Sequence, residues 1–373
     1  MIDRMRKEPP KNFPAIKSKP SSPLSADQLL GDIRSLIEET RQRVAQAVNA
    51  GLVLLYWQIG ERIRKDILQE ERAEYGRQIV AILSRQLTAE YGRGFTHHAL
   101  LRMVQFAEKF SDAKIVVTLS RQLGWSHFVE LVAMEDPLKR EFYAEMCRLE
   151  RWSVRTLRAK IQGMLYDRTG ISKKPAELVK QELKKLREED HLTPDLVFRD
   201  PYLLDFLGLK DTYSERDLES AILRELEQFL VEMGSDFAFL ARQKRITVDQ
   251  EDYYLDLLFY HRRLHRLVAI DLKLGRFQAA DKGQMELYLH WLEKHEKETG
   301  ENPPIGLILS ADKSAEHVEL LQLEKSGIRV AQYLTELPPR KVLEHKLHEA
   351  IRIAREQLAA RQLPPGDKTR HEL

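Results

Sequence analysis

The spacing of apolar positions changes once along this chain, and the change divides it in two. From about residue 26, Ile33, Leu36, Ile37, Val44 and Val48 recur at threes, fours and sevens, and Leu52, Leu55, Ile59 and Ile63 prolong the stripe. That period predicts one long amphipathic helix, or two in line. Ile79, Ile82, Leu83 and Leu87 predict another helix, broken near Gly92 and Gly94. FTHHALLRMVQFAEKF predicts the next, with Thr96 as its N-cap. Two more should pass through Trp125, Phe128, Val129 and Val132, and through Phe142, Tyr143, Met146 and Leu149. In WSVRTLRAKI, Ser153 should cap a short basic helix. Short helices joined by tight turns describe an all-α domain over residues 25–170, helix-turn-helix-like in part, with a DNA- or partner-binding role expected. Its long first helix is a candidate for homo-oligomer contacts.

Residues 1–24, rich in Pro, Lys and Ser, should be a disordered leader. Residues 171–193 alternate Lys and Glu, so 171–200 should be an exposed, charged helical connector at the domain boundary. Beyond it, SERDLESAILRELEQFLVEMG predicts one helix capped by Ser214 and stopped by Gly234, with Leu218, Ile222, Leu226, Phe229, Leu230 and Met233 facing a sheet.

Strand-like segments then follow at 237–243, 253–261 and 267–274, the last two joined by the short link RRLHR and hence antiparallel. A helix through QMELYLHWLEKHEK precedes buried-looking strands at 305–311 and 328–334. The fold class is therefore α+β: an all-α N-terminal domain, then an α-β-β-β-α-β domain over 201–340 with a mixed central sheet. Residues 341–373 should form a charged helix and tail.

Composition narrows the picture. The 373 residues suffice for two or three domains. Lysine and arginine total 60 against 58 acidic residues, a net charge of +2, so any nucleic-acid binding must come from local basic patches. The single cysteine, Cys147, excludes an intramolecular disulfide and reads as a small buried hydrophobe. No apolar run reaches the roughly 20 residues that span a bilayer, and the basic N-terminus lacks an apolar signal core. A cytoplasmic protein without membrane contact is expected.

Chemistry concentrates in two strands. In VAIDLKL, alternation puts Val268, Ile270, Leu272 and Leu274 on one face and Ala269, Asp271 and Lys273 on the other. In the preceding strand Asp256 interrupts the apolar run LDLLFY. A buried carboxylate costs several kcal/mol in order of magnitude unless paired or bound to a metal. Two such carboxylates brought together by the hairpin would repel, and a divalent cation removes both penalties. Oxygen donors suit Mg²⁺ or Mn²⁺. Such an ion stabilises charge on a phosphoryl oxygen, while Lys273 could orient or deprotonate water or offset charge.

The constellation of Asp256 followed by Asp271-Leu272-Lys273 resembles the signature of PD-(D/E)XK nucleases. The string EDYYLDLLFYHRRLHRLVAIDLKLGRF looks like the YhcG-like branch of that superfamily. Gln284 and Tyr288 in DKGQMELYL match its QxxxY pattern, and WSHFVEL and WSVRTLRAKI look like its helical N-terminal region. The resemblance implies a restriction-endonuclease-like fold and a metal-dependent nuclease. Asp256, Asp271 and the Leu272 carbonyl would be metal ligands, Lys273 the catalytic lysine, and Glu219 the acid on the preceding helix. Gln284 and Tyr288 would position DNA or water. Leu255 stands where the signature has proline, and Asp271 where this branch commonly has glutamate.

Arg262, Arg263, His265 and Arg266 in the hairpin link, then Arg276 and Lys282, are candidate phosphate contacts, as are Arg155 and Arg158 in the helical domain. DNA is the expected partner, with RNA an open alternative. The competing reading is a nuclease-like fold that binds nucleic acid, or assembles, without cutting. His261 reads as a hydrogen-bonded structural histidine, and Trp57, Trp125, Trp152 and Trp291 as core residues.

Overall fold

The computed structural model describes residues 26–67, 73–209 and 212–362; the expected leader and the end of the tail lie outside these described residues. The first apolar stripe forms a single helix of 42 residues, Ala26–Ile67. Only its second half is packed, where Val53, Gly60 and Ile63 are buried, while residues 29–49 are exposed throughout. At Gly60 a Cβ would lie 1.8 Å from the Met103 carbonyl oxygen, so only glycine permits this approach to the helix His97–Lys109.

Thr96 precedes that helix as expected, although its side chain makes no capping bond. Ser153 does cap, accepting from Thr156 N at 3.1 Å. Phe106, Phe110 and Phe128 form the aromatic centre, with the Phe106 and Phe128 rings 4.6 Å apart. Trp57 and Trp125 pack against the same core and Trp152 is within it. Cys147 is buried, and burial pushes its thiol up to about 12.

The segment expected as an exposed connector is a correction. Its helix, Ala176–Glu189, buries Val179, Leu183 and Leu186 completely, because these three sit at helical spacing beneath the charged face. Arg187 pairs with Glu141 and, at 2.8 Å, with Glu145, which fastens this helix to Pro137–Glu150.

The SERDLES helix also departs from expectation. It is two helices, Glu215–Arg224 and Leu226–Met233, broken where Glu225 leaves helical geometry at φ −105° and ψ 32°. The break lets Leu218, Ile222, Phe229 and Met233 all be buried. Ser214 caps the first piece in a capping box with Asp217.

Six strands form one mixed sheet: β1 (Tyr202–Leu203), β2 (Phe237–Val248), β3 (Glu251–His261), β4 (Arg266–Arg276), β5 (Ile305–Asp312) and β6 (Ile328–Leu334). Their order is β1-β6-β5-β4-β3-β2. The pairs β2–β3 and β3–β4 are antiparallel, whereas β4–β5, β5–β6 and β6–β1 are parallel. The two-residue β1 has no sequence signal. β2 and β3 run longer than expected because Asp249 and Gln250, both at positive φ, close a two-residue hairpin turn.

β4 is central and divides two cores. Val268, Ile270 and Leu272 join the large core shared with the helical region. Leu267 and Ala269 join a second core under the helix Ala279–His295, with Met285, Tyr288 and Leu292. That helix sits tightly on β5, since a Cβ at Gly306 would come 2.5 Å from Met285 Cγ.

Asp200, ahead of β1, ties the helical region to the sheet. Its carboxylate accepts from Lys173 Nζ at 2.9 Å, from Lys313 Nζ and from Gln332 N at 3.1 Å. Burial alone would raise its pKa, but the two ammonium groups outweigh it and hold the acid well below the usual carboxylate range. Among the described residues no helix is long and apolar enough to cross a membrane.

Candidate active site

One step beyond the paired residues Leu257 and Ile270 of β3 and β4 come Asp256 and Asp271. Asp271 is 3% exposed, and its Oδ2 lies 2.8 Å from Lys273 Nζ, as expected for residues two apart on one face of a strand. Asp256 points back to the same strand: its Oδ2 accepts from Leu272 N at 2.8 Å.

A slip in β3 creates this placement. Leu255 and Leu258 both lie in the core beneath Ala279–His295, although a regular strand would put residues three apart on opposite faces. The alternation therefore breaks once between them, at Asp256. On the neighbouring strand Gln243 stands between Arg242 and Lys244, whose partners are Leu257 and Leu255, and it adopts φ +44°. Two adjacent irregularities take Asp256 out of the apolar packing.

Gln243 joins two acids. Its Nε2 donates to Asp256 Oδ1 at 2.9 Å and to Glu219 Oε2 at 2.7 Å. Glu219, 4% exposed, comes from the helix Glu215–Arg224, and its Oε1 has Arg242 Nε at 3.1 Å. On the other side Lys273 Nζ reaches Gln284 Oε1 at 3.5 Å, Gln284 Nε2 donates to the Tyr288 hydroxyl at 2.6 Å, and that hydroxyl donates to the Tyr254 carbonyl at 3.1 Å. Tyr288 is wholly buried, and its hydroxyl meets the cluster at Gln284.

Burial pushes the Asp271 carboxyl up to about 7; Lys273 opposes this, and the negative charges of Asp256 and Asp281 add to it. Burial disfavours the Lys273 ammonium, but Asp271 outweighs it and leaves the amine above its ordinary value. The buried oxygens Asp271 Oδ2 and Glu219 Oε1 have cations beside them yet make no well-aligned hydrogen bond. Among the described residues, no three or more His, Cys, Asp or Glu side chains form a ready-made metal cage. Two carboxylates with a backbone carbonyl are a donor set suited to Mg²⁺, which commonly keeps several waters and takes one or two carboxylates.

Asp256, Asp271, Lys273, Glu219, Gln284 and Tyr288 are thus brought together. The hairpin link is not. Arg262, Arg263 and Arg266 lie at the opposite ends of β3 and β4, at least five residues from Asp256, which at ~3.3 Å per residue is roughly 17 Å. Arg263 is held by Asp236 at 2.7 Å and by the Leu149 carbonyl at 3.1 Å. Arg276 ends β4 on the site's side, and Lys282 begins the following helix, 3.4 Å from Glu286. Arg155 is exposed, whereas Arg158 pairs with Glu130 at 2.7 Å. His261 is structural: its Nδ1 accepts from Leu264 N at 3.1 Å and its ring stacks edge-on against Phe237.

Sequence reasoning missed Gln243 and Glu215, whose Oε1 accepts from Leu274 N at 3.1 Å. The signal for Gln243 was a polar residue in β2 opposite the one acid of β3, which becomes readable only once the register is known.

A lysine two residues past a buried acid, with a second acid one strand away, on a mixed sheet flanked by helices, is the arrangement of PD-(D/E)XK nucleases. Residues 195–348 match the YhcG PDDEXK nuclease domain, and residues 32–168 match the DUF1016 N-terminal domain. The chain is 35% identical over 352 residues to "Putative nuclease YhcG" of Escherichia coli (strain K12), covering 86% of this chain and 93% of that one. It therefore belongs to the YhcG family of PD-(D/E)XK nucleases. Similar solved structures include a repair endonuclease from Pyrococcus abyssi (20% identity, TM-score 0.24, 35% of this chain and 50% of that one). Another is a complex of EndoMS with double-stranded DNA (18% identity, TM-score 0.26, 35% of this chain and 49% of that one).

Proposed function

We propose that this nuclease hydrolyses phosphodiester bonds of DNA and requires Mg²⁺ or Mn²⁺. The observation that carries this reading is the pair Asp256 and Asp271, adjacent in register, with Asp271 buried and its acidity shifted by burial. Two carboxylates held this way are costly without a cation, and Asp256, Asp271 and the Leu272 carbonyl would hold it. Bound there, the ion would supply Lewis-acid stabilisation and a lowered pKa for water.

The chain's own groups define the rest. Lys273, kept as an ammonium by Asp271, offsets negative charge that builds on the phosphoryl oxygens, a role better matched to its raised pKa than proton removal. Gln284 orients Lys273 and is itself fixed by Tyr288. Glu219, through Gln243, fixes Asp256. Arg276, at the end of β4, and Lys282, in the first turn of the next helix, would meet the DNA backbone next to the scissile bond. Arg155 and Arg158 on the helical region, and Arg262, Arg263 and Arg266 at the far turn, would contact phosphates more remotely.

The test is incubation of purified protein with single-stranded, double-stranded and branched DNA, and with RNA, in Mg²⁺, Mn²⁺ or EDTA. Cleavage of DNA should need metal and vanish in Asp271→Asn and Lys273→Met, while binding of DNA persists. Binding without cleavage by the unaltered protein on every substrate and metal would support the non-cutting alternative, and preferential cleavage of RNA would reassign the substrate.

A further inference from the structure

A cavity of about 630 Å³ opens at the end of the sheet remote from the acids, where β4, β5 and β6 begin, and Arg266, Ile305 and Arg329 line it. That volume falls within the roughly 300–1,000 Å³ of small-molecule sites. Arg266 stands five residues from Asp271 along β4, roughly 17 Å at ~3.3 Å per residue, so the cavity is separate from the catalytic cluster.

Strand register puts the two arginines on one face of the sheet. Alternation sets Arg266 with Val268 and Ile270; Ile270 is the partner of Leu307, and Leu307 that of Arg329. Pro303, Pro304 and Leu289 add an apolar wall.

Positive charge in the cavity is incompletely neutralised. Arg266 has the Leu264 carbonyl at 3.4 Å, and among the described residues no carboxylate comes within ion-pair distance of it. Burial first, then the nearby Arg329, push its pKa below the ordinary arginine value. Arg329 is answered by Asp195 at 2.6 Å. Lys325, also in the wall, has the Gln322 amide oxygen at 2.7 Å, an uncharged partner.

The acids of the wall are engaged elsewhere or face solvent. Glu286, His290 and Glu293 come from the helix Ala279–His295, which covers the opposite face of the sheet, with Leu267 and Ala269. Glu286 holds Ser326 Oγ at 2.6 Å and Lys282 at 3.4 Å, and Glu293 holds Lys297 at 3.4 Å. Glu324 is exposed.

Arg266 and Lys325 are thus two cations without a carboxylate. One phosphodiester, at a single negative charge, would leave half of this unbalanced. A phosphomonoester, at about −1.5 to −2 near pH 7, matches it, and an arginine fork binds phosphoryl oxygens two at a time.

We infer that this cavity binds a phosphomonoester, with its phosphoryl group between Arg266 and Lys325 and its carrier against Pro303, Pro304 and Leu289. The carrier is a mononucleotide or the 5′ end of a DNA strand, which present the same terminal phosphate. The DNA source rests on the function proposed above; the mononucleotide source does not.

Calorimetric titration of the full chain, in metal-free and phosphate-free buffer, tests this with adenosine 5′-monophosphate, adenosine, and one oligonucleotide carrying either a 5′-phosphate or a 5′-hydroxyl. The monophosphate should bind saturably and adenosine should not. Arg266→Gln, which gives up no ion pair, and Lys325→Gln should each weaken binding by about tenfold or more, with the thermal midpoint of the free protein unchanged. Asp271→Asn should bind as the unaltered chain does. A gain in oligonucleotide affinity from the 5′-phosphate, lost in Arg266→Gln, names the DNA end as the source; binding of the monophosphate without that gain names the free nucleotide.

Equal binding of adenosine and its monophosphate overturns the inference, as does the absence of binding by both phosphate-bearing probes at millimolar concentration. Binding lost in Asp271→Asn but kept in Arg266→Gln would place the phosphate at the catalytic acids and equally refute it.

Discussion

Gln243 and Asp256 face one another across β2 and β3, and a single amide nitrogen of Gln243 serves both Asp256, at 2.9 Å, and Glu219, at 2.7 Å. Because Gln243 holds φ +44°, its backbone strain and its side-chain contacts are two halves of the same arrangement.

Gln243→Gly keeps the backbone conformation at little steric cost and removes the amide. Asp256 then loses one of its two anchors. Apparent affinity for Mn²⁺, measured by titration calorimetry, should fall by about 10- to 100-fold, with cleavage falling in parallel. An unchanged affinity would show that Asp256 needs only its bond to Leu272 N.

Tyr288→Phe removes a hydroxyl that links Gln284 to the Tyr254 carbonyl inside the second core. The stranded polar partners should cost about 1–3 kcal/mol in urea unfolding. Cleavage should weaken chiefly in kcat, since the lost bond orients Gln284 beside Lys273 and touches no substrate.

His261 is 2% exposed, and burial pulls its pKa down to about 4 from the ordinary 6.5. Between those values the unfolded chain takes up a proton that the folded one refuses, so stability is full above pH 6.5 and declines as pH falls towards 4. Comparing pH 7 with pH 5, the loss from this group should be about 2 kcal/mol. His261→Asn keeps an acceptor for Leu264 N and should lack that portion of the pH dependence in urea titrations.

Gly60→Ala places a methyl group 1.8 Å from a backbone oxygen that cannot swing away. Forcing the two helices apart should cost about 3 kcal/mol, read as a lowered thermal midpoint. Gly31→Ala, in the exposed half of the same helix with nothing within 4 Å, should be neutral or slightly stabilising.

Periodicity carried most of the fold. β6 was legible to the residue because Ile328, Val330, Ala331, Tyr333 and Leu334 make it mostly apolar between Gly327 and Thr335, and β3, β4 and β5 were legible to within about two residues at each end. Asp256, Asp271 and Lys273 stood out because charge inside such runs needs a reason. What stayed hidden depends on three dimensions. Glu225 carries no breaking residue type, so one helix was read where packing makes two. The charged face of Ala176–Glu189 masked three buried leucine and valine side chains. The nearness of Arg262 to Asp256 in sequence concealed that an extended strand separates its ends by many ångströms.

The buried pairing of Glu232 with Arg168 and Arg199, like that of Asp200 with Lys173 and Lys313, joins side chains from the helical half to the sheet half. Freedom to pivot between them would expose uncompensated ions, so the halves should turn as one piece. On the function proposed above, a duplex gripped on the helices would then reach the strand that carries Asp271 at a set angle and span, much as a jig fixes work against a blade.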